Sequence, residues 1–248
     1  MHKDHFEALH TAGDLGLRLA PADVAGVDVS VHPPFTDLRT VQSVIESKGV
    51  PVALGAQNCA EEDAGAFTGE VSPLMLAKLH VAYVIVGHSE RRSLFGETDG
   101  SVAIKAASVF RNGMVPIVCV GETVDERAVG LTRDRLSAQV EAALVHLAPE
   151  QVGAAVVAYE PMWAIGTGQA ATPEDAQEAA AWIRQVVLRV AGEEAAGGIR
   201  VQYGGSVTPE NTGDLVTCPD VDGVLVGGAS LDAASFVAIV RAAGGSGR

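Results

Sequence analysis

Glu160 closes an apolar run, AAVVAY (154–159), and is followed at once by PMWAIGTG (161–168). A carboxylate where a buried strand meets its loop has to be paired or put to use. His88 occupies a matching place, after VAYVIVG (81–87) and before SERR (89–92). An imidazole and a carboxylate at two strand ends that could face the same mouth suit proton transfer beside a carbonyl group. Two later runs end in GGS (204–206) and VGGAS (226–230). Glycine there lets backbone N–H groups close on phosphate oxygens. The chemistry expected is proton movement on a small phosphorylated carbonyl compound. Pro161 and Trp163 make a stiff start to the loop after Glu160, and Gly166 and Gly168 supply mobility and a free amide, the composition of a lid.

These residues need a scaffold that brings strand ends to one mouth. Apolar runs recur at 27–34, 51–58, 81–89, 114–122, 154–161, 199–206 and 221–229. Stretches of helical length separate them, such as PEDAQEAAAWIRQVVLRVAG (173–192), where Pro173, Glu174 and Asp175 suit a helix N-terminus. Continuous apolar strands alternating with helices predict a parallel sheet covered by helices, and an unbroken series predicts one closed (β/α)8 barrel over residues 1–248. No GxGxxG opens a helix after the first run, which disfavours the doubly wound alternative. In such a barrel the strand ends form one list: Gln57, Asn58, His88, Ser89, Glu90, Cys119, Glu122, Glu160, Ser206, Gly227 and Gly228. The run count is one short of eight. DHFEALHTAGDLGLRLA (4–20) places Phe6, Leu9, Ala12, Leu15 and Leu19 near helical spacing, so the chain is expected to begin in a helix with its first strand absent. The terminal GGSGR (244–248) is expected to be a flexible tail.

Bulk composition narrows the partners. Seventeen Lys and Arg against 31 Asp and Glu give a net charge of −14, which repels a nucleic-acid backbone. An anionic substrate must then be held by local amides or a few placed cations. Cys59, Cys119 and Cys218 lack metal-like spacing and read as reduced thiols, with Cys119 a packing residue. His32, His80 and His146 lack a catalytic context and read as structural. With no signal-like leader and no long apolar span, a cytoplasmic protein is expected.

AYEPMWAIGTG, VGHSERR, YGGSV and LVGGASL, with PPFTDL and GAFTGEVS, closely resemble the triosephosphate isomerase family, in order, from about residue 4 to 243. The resemblance implies interconversion of dihydroxyacetone phosphate and D-glyceraldehyde 3-phosphate through an enediol, without metal or organic cofactor, in glycolysis and gluconeogenesis. It implies that Glu160 is the base and His88 a neutral electrophile whose pKa is lowered by the helix beginning at Ser89, a tuning established for this family. Glu90 belongs to the polar network beside His88. Gly166, Ser206, Gly227 and Gly228 donate backbone N–H groups to the phosphate. The lid comprises Pro161, Met162, Trp163, Ala164, Ile165, Thr167 and Gly168 around Gly166, latched by Tyr203 and Ser206. Thr68, in AEEDAGAFTGEVS (60–72), reaches a partner subunit's site, so a homodimer is implied.

Two departures from the family stand out. Gln169, Ala170 and Ala171 replace the usual Lys-Thr-Ala-like hinge, which bears on opening rate. The family's first strand ends in Asn-Trp-Lys-Met, and here Met1 takes the place of that Met, so the Asn and Lys have no counterpart; a start assigned too late explains this most simply. Lys3 falls inside the following helix and does not substitute. A charge-assisted contact in a dry site is worth about 2 to 4 kcal/mol, or roughly 30- to 1000-fold in rate. Two alternatives follow: a four-carbon ketose phosphate handled by the same mechanism, or a non-catalytic phosphate-binding relic.

Overall fold

The computed structural model describes residues 1–164 and 171–245. Seven parallel strands alternate with helices: β1 Ser30–Val31, β2 Ala53–Ala56, β3 Tyr83–Val86, β4 Val115–Val120, β5 Val156–Tyr159, β6 Arg200–Tyr203 and β7 Gly223–Val224. The helices are α1 His5–Arg18, α2 Leu38–Lys48, α3 Pro73–Ala77, α4 Ser89–Phe95, α5 Asp99–Arg111, α6 Val124–Ala128, α7 Thr132–Leu144, α8 Pro149–Ala154, α9 Pro173–Gly198, α10 Thr212–Val216 and α11 Ala233–Gly244. Strand order follows chain order, β1 to β7, and each neighbour pair is parallel. This is the curled α/β sheet of the (β/α)8 fold. Each expected strand run contains one observed strand. Among the described residues there is no eighth strand, and β1 and β7 do not pair with each other.

The strands read as continuous apolar runs because both of their faces are covered. Ile85, Ile117, Cys119, Val156 and Ala158 point into the barrel and form a small inner core. The alternate residues, among them Val84, Val86, Val118, Val120, Val157 and Tyr159, join the large core between sheet and helices. Each such side chain, fully buried, contributes about 1.5–3 kcal/mol.

Local sequence fixes the helix ends. Thr172 caps α9 and shares a reciprocal capping box with Asp175, which bears out the N-terminus read at Pro173, Glu174 and Asp175. Gly192, at φ +88°, interrupts α9 near its end. Asp4 and Glu7 form the same device at the start of α1. The periodicity proposed for α1 holds only in part: Ala12, Leu15 and Leu19 are buried, whereas Phe6 and Leu9 are exposed, and Ala8 takes the inward place. The C-terminal tail is also shorter than expected, because α11 runs through Gly244, with Gly245 as its cap. Residues 246–248 of that tail lie outside the described residues. No helix among the described residues is long and apolar enough to cross a membrane.

Candidate active site

His88 is placed by a strand and aimed by a helix. β3 ends at Val86, Gly87 turns the chain at φ +71°, and His88 is the N-cap of α4. Its Nδ1 accepts the Glu90 backbone N–H at 3.3 Å. That bond leaves the ring proton on Nε2, which lies 2.9 Å from Glu160 Oε1. The other carboxylate oxygen, Oε2, accepts the Ser89 backbone N–H at 2.8 Å. A buried carboxylate is thus satisfied by a ring N–H and by the N-terminus of α4. The Glu90 carboxylate is exposed and stands 4.0 Å from His88 Nδ1.

The direction of the His88 shift differs from the one expected of the helix alone. Burial favours the neutral ring, but the Glu160 carboxylate, by hydrogen bond and by charge, outweighs it and raises the His88 pKa above its ordinary value. The expected lowering neglected the carboxylate that occupies the site when nothing else does.

Glu160 owes its position to β4 as well as β5. Its backbone N–H bonds to Val120 O at 2.7 Å, continuing the ladder past Tyr159. A Cβ on Gly121 would lie 1.8 Å from Glu160 O, so that position admits no side chain without moving the Glu160 backbone. Gly121→Ala is therefore expected to cost about 1–3 kcal/mol, typical of forced overpacking, and to lower the Tm by several degrees. Thermal unfolding beside an activity assay checks this; an unshifted Tm with full activity would refute the close approach.

The first residues of the lid rest on a second buried carboxylate. Pro161 and Ala164 are buried, and Met162 and Trp163 are half-buried. Trp163 Nε1 donates to Glu122 Oε1 at 2.9 Å, and the Tyr159 hydroxyl donates to the same oxygen at 3.1 Å. Arg127 lies 4.0 Å over the Trp163 ring and bonds Asp175 at 2.7 Å. Glu122 had been read only as a strand-end residue. Its signal was a carboxylate closing MVPIVCVG, the same pattern that marked Glu160. Ile165, Gly166, Thr167 and Gly168, with Gln169 and Ala170, lie outside the described residues.

Tyr203 is buried at the end of β6. Burial pushes its phenol up to about 12. Its hydroxyl oxygen is buried without a hydrogen-bond partner among the described residues, and a Cβ on Gly205 would lie 2.1 Å from it, which sets it against the GGS turn. Ser206, Gly227 and Gly228 line the same cavity as His88, Glu90 and Glu160, with a volume of about 1830 Å³. Its size reflects a continuation between β1 and β7, past Val29, Gln202 and Val224. Thr68 is exposed on its loop and does not line this cavity. His32, left as structural, is half-buried and lines the cavity, where desolvation brings its pKa down to about 4.

The family model for triosephosphate isomerase matches residues 1–243. A triosephosphate isomerase from Carboxydothermus hydrogenoformans is 52% identical over 219 residues, which cover 88% of this chain and 86% of that protein. One from Roseiflexus castenholzii is 50% identical over 233 residues, covering 94% and 87%. One from Streptococcus pneumoniae is 48% identical over 240 residues, covering 97% and 94%.

Proposed function

We infer the roles of individual residues from the premise that the chain belongs to the triosephosphate isomerase family and interconverts dihydroxyacetone phosphate and D-glyceraldehyde 3-phosphate. Glu160 is the base. Its carboxylate takes a proton from C1 of dihydroxyacetone phosphate, the C1–H electron pair becomes the C1=C2 bond of an enediolate, and the carbonyl oxygen gains the charge. His88 Nε2–H stabilises that oxygen. The C1 hydroxyl proton passes to the C2 oxygen, and Glu160 returns its proton to C2 as the charge on the C1 oxygen becomes the C1=O bond of the aldehyde. The observation that carries this reading is the 2.9 Å contact between His88 Nε2 and Glu160 Oε1 at the mouth of a cavity also lined by Ser206, Gly227 and Gly228.

Substrate entry then amounts to an exchange of partners. The carbonyl oxygen replaces Glu160 on His88 Nε2, and the carboxylate leaves the Ser89 N–H to reach carbon. Ser206, Gly227 and Gly228 offer amides to the phosphate, with Gly166 joining them from the lid. Glu90 holds the His88 ring through its backbone N–H. Phe67 and Met75, both more than half exposed on either side of Thr68, support a second copy as the partner that covers this loop. The free cysteines fit a reducing, cytoplasmic setting.

The test is turnover of D-glyceraldehyde 3-phosphate in D2O. Formation of dihydroxyacetone phosphate carrying solvent deuterium at C1 is expected, because a carboxylate proton exchanges before it returns. Absence of both turnover and exchange would overturn the reading.

A further inference from the structure

Glu97 and Arg92 lie outside the reaction just described, yet both are spent on the backbone of one residue. Glu97 is buried, and its Oε1 accepts the Gly87 backbone N–H at 2.9 Å. Arg92 Nε donates to the Gly87 carbonyl at 2.7 Å. Gly87 is the residue before His88, in the left-handed region at φ +71°. A Cβ there would lie 2.9 Å from Arg92 Nη2 and 3.2 Å from Cys119 O, so only glycine fits under the guanidinium. β3 ends at Val86, so no strand ladder holds Gly87. Side chains take over where the sheet stops.

Each of the two side chains is itself anchored. Glu97 Oε2 accepts from Arg91 Nε at 2.5 Å and from Lys105 Nζ at 3.1 Å, and Lys105 also donates to Asn58 Oδ1 at 2.9 Å. These cations hold the Glu97 carboxyl below its ordinary pKa although burial works the other way. Arg92 bonds Asp99 Oδ1 at 2.6 Å and Cys119 O at 3.2 Å. The anchors come from α5, from the loop after β2, and from β4. They tie the end of β3 to both neighbouring strands.

We propose that Glu97 and Arg92 are positioning residues for His88, clamping Gly87 at its N–H and its C=O, on the two successive peptide units that lead into His88, so that the imidazole Nε2–H points at the reacting oxygen. A guanidinium spread over three acceptors and a doubly paired carboxylate fix direction as well as distance. The inference rests on the reading of His88 as the electrophile. It adds that the ring's aim is set from below, through two networks that never touch substrate.

The experiment compares paired variants, because removing Glu97 alone leaves Lys105 buried without its charge partner. Glu97→Leu/Lys105→Met removes both charges and the acceptor for Gly87. Glu97→Gln/Lys105→Met removes both charges but keeps an oxygen for the Gly87 N–H. For the Leu pair, kcat is expected to fall about 10- to 100-fold with KM within threefold of the parent, as for a misplacement of about 1 Å. The Gln pair is expected to recover most of that loss. The ¹⁵N resonances of His88 should move in the Leu pair and return in the Gln pair. Arg92→Lys, which keeps the charge but loses the fork, should resemble the Leu pair. Equal kcat and unmoved His88 resonances in a Leu pair of lower Tm would make the network merely structural and overturn the proposal. A parallel His88→Gln variant separates the two levels. If it retains full kcat, the electrophile reading fails first; if it loses kcat while the Leu pair does not, the clamp alone fails.

Discussion

Glu160→Gln is expected to lower kcat by about three orders of magnitude, within the range for loss of a positioned general base, while KM changes little. The amide is isosteric and its oxygen can still accept the Ser89 N–H that now bonds Oε2 at 2.8 Å, so the fold should be undisturbed. The lost function is proton removal from carbon. Glu160→Asp tests reach separately: one methylene shorter, it retains the carboxylate but withdraws it by about 1 Å or more, for which a loss of about 100-fold is expected. Steady-state kinetics in both directions measure the two effects. A Gln variant within tenfold of the parent would remove Glu160 from the role of base.

His88→Gln is expected to cost about 100- to 1000-fold in kcat, the scale for a lost oxyanion donor. The His88 pKa supplies a second reading of the same pair. In the ligand-free protein it lies above the ordinary value because of Glu160, so Glu160→Gln should bring it down, leaving burial to dominate. The stability supplied by the His88–Glu160 pair is fully present below the unfolded histidine pKa, near 6.5, and is lost as pH rises through the raised folded value. The Gln variant should lose that pH dependence. Nuclear magnetic resonance titration of the imidazole measures the shift, and an unchanged His88 pKa in the Gln variant would contradict the 2.9 Å contact.

The strands and the two positions proposed as catalytic were legible because each is announced by contiguous residues. VAYVIVG before His88 and AAVVAY before Glu160 carry the period of buried parallel strands, and a polar residue closing such a run is visible without coordinates. The Gly87 clamp was not legible, because Lys105, which holds Glu97, meets Asn58 across 47 residues, and nothing in a charged residue of a loop or helix says which backbone amide it will meet. The sign of the His88 shift was misread for the same reason. A helix N-terminus is a local feature of SERR, whereas the carboxylate that outweighs it lies 72 residues away. Phe6 and Leu9 show the converse limit: an apolar residue at helical spacing reports a possible inner face, and packing decides which apolar residues use it.

The pairing of strands is uneven around the sheet. Four residues of β3 are matched to four of β4, and four of β4 to four of β5, whereas β1 meets β2 over two residues and β6 meets β7 over two. Local opening free energy follows such differences, since each unit must lose its own hydrogen bonds and buried contacts to open. His88 and Glu160 follow β3 and β5, on the more extensively paired part of the sheet, and Gly227 and Gly228 follow β7, on the less extensively paired part. Under the roles proposed above, the residues that would move a proton stand on the part that costs more to open, and those that would hold the phosphate on the part that costs less.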